Sequence, residues 1–186
     1  MNVLAVAGSL RTSSINAAFC RATSRLAPDD LHITVSDALR SLPPFNSDLE
    51  PDPPRSVTLF REAVGAANAL IIASPEYAHG ISGVLKNALD WLVSYEGFVG
   101  MPVAVINTSP RAHHAYDSLL EVLKTMSARV VHDASITVPL LGVCITEAQM
   151  VATPAIAFQI RGALVALSAF LRFGAEPGPS FPVESR

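Results

Sequence analysis

Five apolar runs alternate with helical stretches along this 186-residue chain, and that alternation leaves few folds open. Val3-Leu4-Ala5-Val6-Ala7 is apolar without interruption and ends at Gly8. A strand apolar on both sides is one covered on both faces, as in a parallel sheet. Asn16 to Leu26 reads as a helix, with Ala17, Phe19, Cys20, Thr23 and Leu26 available to pack. Leu31-His32-Ile33-Thr34-Val35 alternates and reads as a strand nearer the sheet edge. A Pro-rich excursion from Leu42 to Pro54 follows, and its prolines exclude a continuous helix or a central strand. A second helix is predicted from about Ser56 to Ala67.

Ala69 to Ser74 is the third strand and stops at Pro75. Ile81, Val84, Leu85, Ala88, Leu89 and Leu92 then form one continuous helical face. Pro102 to Asn107 is the fourth strand, and Ala115, Leu119, Val122, Leu123 and Met126 stripe the helix after it. Arg129-Val130-Val131, extended through Ile136-Thr137-Val138, supplies the fifth strand. A single long helix from about Glu147 to Leu171 closes the chain's ordered part.

Such a chain should form an α/β, three-layer, doubly wound five-stranded parallel sheet. Right-handed crossovers restrict the topology, and the strand order 2-1-3-4-5 is expected because it brings the ends of strands one and three together. Residues 1–172 form the expected domain. The tail 173–186, with Gly174, Pro177, Gly178, Pro179 and Pro182, is expected to be poorly ordered or docked on a neighbouring subunit.

The chain is 50% hydrophobic and 16% charged, with a net charge of -3, which gives no electrostatic footprint for nucleic acid or an anionic membrane. Cys20 and Cys144 lack metal-ligand spacing and read as reduced, buried thiols. The N-terminal run is short, has no basic region before it and leads straight into a loop, so a cytoplasmic protein without a cleaved leader is expected. The apolar stretch Pro154 to Leu171 is interrupted by Gln159 and Arg161 and reads as a buried helix, not a membrane span. Its segment Ala155 to Leu171 is nevertheless apolar nearly all round, so a homodimer or homotetramer is expected.

The loop Gly8 to Asn16 is suited to an anion. A helix start offers unpaired N–H groups and a positive dipole end. Gly8 allows a tight exit from the strand, Ser9, Thr12, Ser13 and Ser14 bring hydroxyls, Arg11 brings a forked cation, and Asn16 an amide, with Ile15 in the same turn. The ordinary alternative is a βα turn with a serine N-cap. Neither a G-x-G-x-x-G fingerprint nor a Walker G-x-x-x-x-G-K-[ST] occurs here, which argues against a dinucleotide site on this turn and against a nucleoside triphosphatase. An acidic pair after strand one and a Cys nucleophile are missing from the loop too, which argues against phosphoacceptor and phosphatase chemistry. Pro75-Glu76-Tyr77 is a rigid, polar-edged turn that suits a flat ring, or simply ends the strand with a solvated Glu76. Together the two loops fit flavin mononucleotide (FMN).

Gly8 to Asn16 matches the pattern G-S-x-R-x-x-S-x-N, and PEYAHGISGVLKNALDW from Pro75 to Trp91 matches a P-E-Y-N…G-x-L-K-N-A-x-D-W block. In both blocks, and in strand–helix order outside the tail, the chain resembles the NADPH-dependent FMN reductases and the related quinone, azo and chromate reductases. The resemblance implies a flavodoxin-like fold and FMN, with the phosphate on Ser9, Arg11, Ser14 and Asn16. It places the ring against Pro75, Glu76 and Tyr77, and Ser13, Ile15 and Ala78 are further cofactor-binding candidates in the same two loops. It also implies NADPH or NADH as co-substrate and a small-molecule electron acceptor such as a flavin or a quinone. Ala78 stands where the family usually has Asn, and Ser82 where Pro is common. The loop Thr108 to His114 replaces a glycine-rich turn, and its Ser109 and Arg111 are candidates to face the flavin or the nicotinamide. The adjacent His113 and His114 do not by themselves make a metal site, and no catalytic nucleophile or metal ligand is expected. A flavodoxin-like electron carrier, or a flavin-binding protein without nicotinamide-dependent activity, is the alternative.

Overall fold

The computed structural model describes residues 1–109, 111, 113–140, 142 and 145–174. Cys144, Pro110, Ala112 and the tail from residue 175 lie outside the described residues. The elements in chain order are β1 (Asn2–Ala7), α1 (Ile15–Leu26), β2 (His32–Ser36), α2 (Arg55–Gly65) and β3 (Ala69–Ala73). A small hairpin of β4 (Glu76–Tyr77) and β5 (Gly80–Ile81) precedes α3 (Gly83–Asp90). β6 (Pro102–Ile106), α4 (His113–Thr125), β7 (Arg129–Val130), α5 (Glu147–Ala152) and α6 (Pro154–Phe173) follow.

The five strands of the main sheet run in the order β2-β1-β3-β6-β7 and pair in parallel. With the hairpin strands set aside, this is the expected order 2-1-3-4-5. Alternate residues of the central strands face opposite layers. Val3, Ala5, Ile71, Ala73, Ala104 and Ile106 pack with α1, α5 and α6. Leu4, Val6, Leu70, Ile72, Val103 and Val105 pack with α2, α3 and α4. Burial on both sides is why these strands are apolar throughout.

Four local expectations are corrected. The closing helix is broken in two at Thr153, which is extended (φ -90°, ψ 108°) because Pro154 follows it and starts α6 as its first residue. The fifth strand is interrupted: β7 ends at Val130, a 3-10 turn spans His132–Ala134, and parallel pairing resumes at the Asn107–Thr137 bridge just past β6. Ile81 belongs to the hairpin, since Ser82 caps α3 by accepting the Leu85 N–H at 3.3 Å. Phe173 is helical, so α6 outruns the boundary drawn at 172.

The Pro-rich excursion is tied down by α3 and the residue after it. Asn87 Nδ2 and Trp91 Nε1 both donate to the Pro43 carbonyl at 2.9 Å, and Asn87 Oδ1 accepts the Phe45 N–H at 2.7 Å. Phe45 meets the buried Trp91 ring edge-on, centroids 5.0 Å apart. Two residues of the Lys86–Trp91 block thus hold a loop.

Candidate functional site

The C-terminal ends of β1, β3 and β6 open into one cleft of about 540 Å³. This is the switch point of the sheet, where α/β folds bind ligands, and the volume is ordinary for a small-molecule or cofactor site. Ser9, Arg11, Ser13, Ser14, Ile15 and Asn16 line one end. Pro75, Glu76 and Tyr77 line another side, and Ser109 and Arg111 a third. Ala78, the remaining candidate, is not among the lining residues.

Gly8 at the base of the first loop cannot be replaced without movement. A Cβ there would lie 2.6 Å from Ser74 Oγ and 3.0 Å from Ser82 Oγ. Its N–H donates to the Ala73 carbonyl at 2.8 Å, which locks the ends of β1 and β3 together. Ser14 is the N-cap of α1, its Oγ accepting the Ala17 N–H at 3.2 Å. The N-cap reading holds, and it is compatible with an anion at this helix start, whose first residues line the cleft. No acidic residue occupies the first turn of α1.

Asn16 is buried, and its Oδ1 accepts the Thr108 hydroxyl at 2.9 Å. The acceptor end of the amide is thus occupied from the third loop, and Nδ2 is the end left to meet a ligand. Asn107, Thr108, Ser74 and Ile145 also line the cleft and were not singled out from sequence. Asn107 and Thr108 are buried polar residues directly after β6. A polar pair ending an apolar strand is the signal that could have found them. Ile145 comes from the segment before α5 and carries no local signal.

Glu76 is not a free acceptor. Its Oε2 accepts the Ala115 N–H at 2.9 Å and caps the first turn of α4 from another element. That hydrogen bond holds its carboxyl below the usual glutamate value, partial desolvation works the other way, and His114, His79 and His113 add favourable charge. His114 stacks at 4.4 Å from His79 and 4.1 Å from His113. Among the described residues no group of three or more His, Cys, Asp or Glu is placed to hold a metal ion. Cys20 is fully buried, and desolvation pushes its thiol up to about 12, so it is no nucleophile.

The hairpin turn places Ala78 and His79 at φ 49° and 60°. Two consecutive positive φ values mark the primed turn that joins tightly twisted strands. The position that the resembled family fills with Asn therefore has a backbone reason for Asn, which tolerates this region, as well as a side-chain one.

The donor set fits FMN: cation, hydroxyls and helix amides at one end suit a phosphate, and a backbone-edged hairpin flanks the wider part. The sequence model of the NADPH-dependent FMN reductases matches residues 1–140. The chain belongs to that family. It is 38% identical over 112 residues to an NAD(P)H-dependent FMN reductase of Pseudomonas aeruginosa, covering 59% of this chain and 60% of that one. It is 37% identical over 112 residues to a 2-hydroxy-1,4-benzoquinone reductase of Burkholderia, covering 59% and 61%. The chain thus spans about three fifths of the length of these curated relatives. Among solved structures it is similar to FerB, a flavoenzyme NAD(P)H:(acceptor) oxidoreductase of Paracoccus denitrificans, with a TM-score of 0.73 and 25% identity. That similarity covers 92% of this chain and 97% of FerB.

Proposed function

We propose that the chain is an NAD(P)H-dependent flavin oxidoreductase that holds FMN in the cleft and passes electrons from NADPH or NADH to a small acceptor such as a flavin or a quinone. The observation that carries this reading is the donor-rich end of the cleft. Arg11, the first amides of α1 and Asn16 Nδ2 converge there, and the Asn16 acceptor atom is taken by Thr108. Bound FMN supplies the two-electron relay between nicotinamide and acceptor.

The chain's own residues bind and orient. Ser9, Ser13 and Ser14 add hydroxyls to Arg11 and Asn16 around the phosphate, with Ile15 contributing its amide. Pro75, Glu76 and Tyr77 border the ring, Ala78 acts through the turn it shapes, and Ser109 and Arg111 flank the ring or the incoming nicotinamide. No covalent nucleophile takes part. Titration with FMN, followed by flavin fluorescence, tests the site. Arg11→Gln should weaken FMN binding about tenfold or more, as expected for a lost charge-assisted contact. Unchanged affinity contradicts the assignment.

The working unit is the domain from β1 through the end of α6, and a cytoplasmic setting suits both a nicotinamide donor and the free, buried Cys20. A second copy of the chain is the proposed partner of α6. This helix is long and apolar enough to cross a membrane by length and composition, but Ile156, Ile160, Leu164 and Leu167 are buried within the domain. Its outer face leaves Phe158, Val165 and Phe173 at 78%, 58% and 79% exposure. Apolar exposure of this kind is what assembly would cover. Val165→Lys should shift the sedimentation coefficient to that of a monomer. A wild-type protein that sediments as a monomer contradicts the assembly.

A further inference from the structure

A second depression, of about 280 Å³, lies where the ends of β1 and β2 meet the first loop and α1. Arg11, Arg21 and Arg40 line it, and Asp37 is the only acidic residue among its lining groups. In a chain of net charge -3 this is a local concentration of positive charge. Arg40 is held in place by donating from Nη2 to the Leu10 carbonyl at 3.0 Å. Arg21 is held by its Nε to Glu147 Oε2 at 3.1 Å, and its terminal nitrogens have no hydrogen bond among the described residues. Leu10, Ala17, Val35 and Leu39 supply apolar wall. Ala17, expected from its helical position to pack inside, lines this depression instead.

The chemistry is that of a phosphorylated nucleoside. Guanidinium forks match a phosphate monoester, apolar wall accepts a base, and the Asp37 carboxylate can accept a ribose hydroxyl or an exocyclic amine. The volume falls near the lower end of small-molecule sites, enough for half of a dinucleotide and not for a whole one. The end of the second strand is also where dinucleotide-binding α/β sheets read the ribose 2′ position, with an Arg accepting a 2′-phosphate. Ser9 and Arg11 line both this depression and the main cleft, so one ligand can reach from one to the other. Resting on the reductase reading above, we propose that this depression takes the 2′-phosphoadenosine half of NADPH, and that Arg21 and Arg40 select NADPH over NADH.

The test is calorimetric titration of the FMN-loaded protein with adenosine 2′,5′-bisphosphate, adenosine 5′-monophosphate and inorganic phosphate. The bisphosphate should bind about tenfold or more tightly than the other two, and Arg21→Gln and Arg40→Gln should each remove about tenfold of that affinity. Arg40→Lys, which keeps the charge but loses the fork, should retain only part of it. The same Gln variants should raise KM for NADPH, leave KM for NADH and both kcat values unchanged, and keep their full flavin content. Equal binding of the two nucleotides, or bisphosphate binding indifferent to Arg21→Gln and Arg40→Gln, overturns the proposal. Inorganic phosphate binding as tightly as the bisphosphate also overturns it, by making the site a simple anion hole. If neither nicotinamide reduces the flavin, the reductase reading fails, while Arg-dependent preference for the bisphosphate still upholds the site.

Discussion

The hydrogen bond from Thr108 Oγ1 to Asn16 Oδ1 joins two loops that come from opposite halves of the chain, and both partners are buried. Removing the donor with the near-isosteric Thr108→Val strands the Asn16 carbonyl, which should lower stability by about 1–3 kcal/mol. It should also weaken FMN binding, because Asn16 is then free to turn its acceptor toward the phosphate. Thermal melts and FMN titration of Thr108→Val check both effects. Ala78 tests the backbone side of the site. At φ 49° Ala is strained, and Asn is less so because its short polar side chain can hydrogen-bond locally. Ala78→Asn should therefore stabilise the hairpin by about 0.5–1 kcal/mol, seen as a rise in Tm of about 1–4 °C. At this scale the sequence was informative about chemistry and blind to geometry. Arg11 and the serines announce an anion by their side chains alone. The capture of Glu76 by Ala115 could not be read, since it depends on where α4 begins relative to a hairpin nearly forty positions earlier.

The hairpin β4–β5 and α4 are coupled through that Glu76 contact, which makes the coupling pH-dependent. Folding depresses the Glu76 pKa, chiefly through the Ala115 N–H it accepts. Its contribution to stability is therefore complete above the ordinary glutamate value of 4.5 and is lost as pH falls through the lower, folded value. Glu76→Gln should melt below wild type at pH 7, with the gap closing as the solution is acidified under pH 4.5. A gap that stays constant over that range contradicts the coupling. A second tether links α3 to the Pro-rich loop. Trp91→Phe removes the donor to the Pro43 carbonyl while keeping a ring against Phe45. It should cost about 0.5–1.5 kcal/mol and speed proteolysis within residues 42–54. The strands were legible because burial on both faces leaves an unbroken apolar run. The break between α5 and α6 was signalled by Pro154, but the apolar pattern on either side outweighed it. The interruption after β7 was not legible, since the 3-10 turn at His132–Ala134 shifts the register without changing the apolar composition much.

At the scale of the whole molecule, the order β2-β1-β3-β6-β7 makes one cleft out of three distant loops. The first loop supplies the donor-rich end, the hairpin after β3 borders the wider part, and the third segment ties to the first loop through Thr108 and to the hairpin through the Ala115 N–H that Glu76 accepts. Of these, the third was the least visible in the chain, because Asn107 and Thr108 act by position behind the ligand and not by a motif. The outer side of the first loop adds the arginine-lined depression, and the outer face of α6 leaves room for a second copy. A cleft, a flavin and a nicotinamide must work together if the molecule is a reductase and not an electron carrier. The decisive measurement is the absorbance of the FMN-loaded protein during anaerobic titration with NADPH and then NADH. Bleaching of the oxidised flavin band by one equivalent of nicotinamide is the expected result. A yellow protein whose band is untouched by either nicotinamide would contradict the reductase assignment and leave a flavin-binding electron carrier in its place.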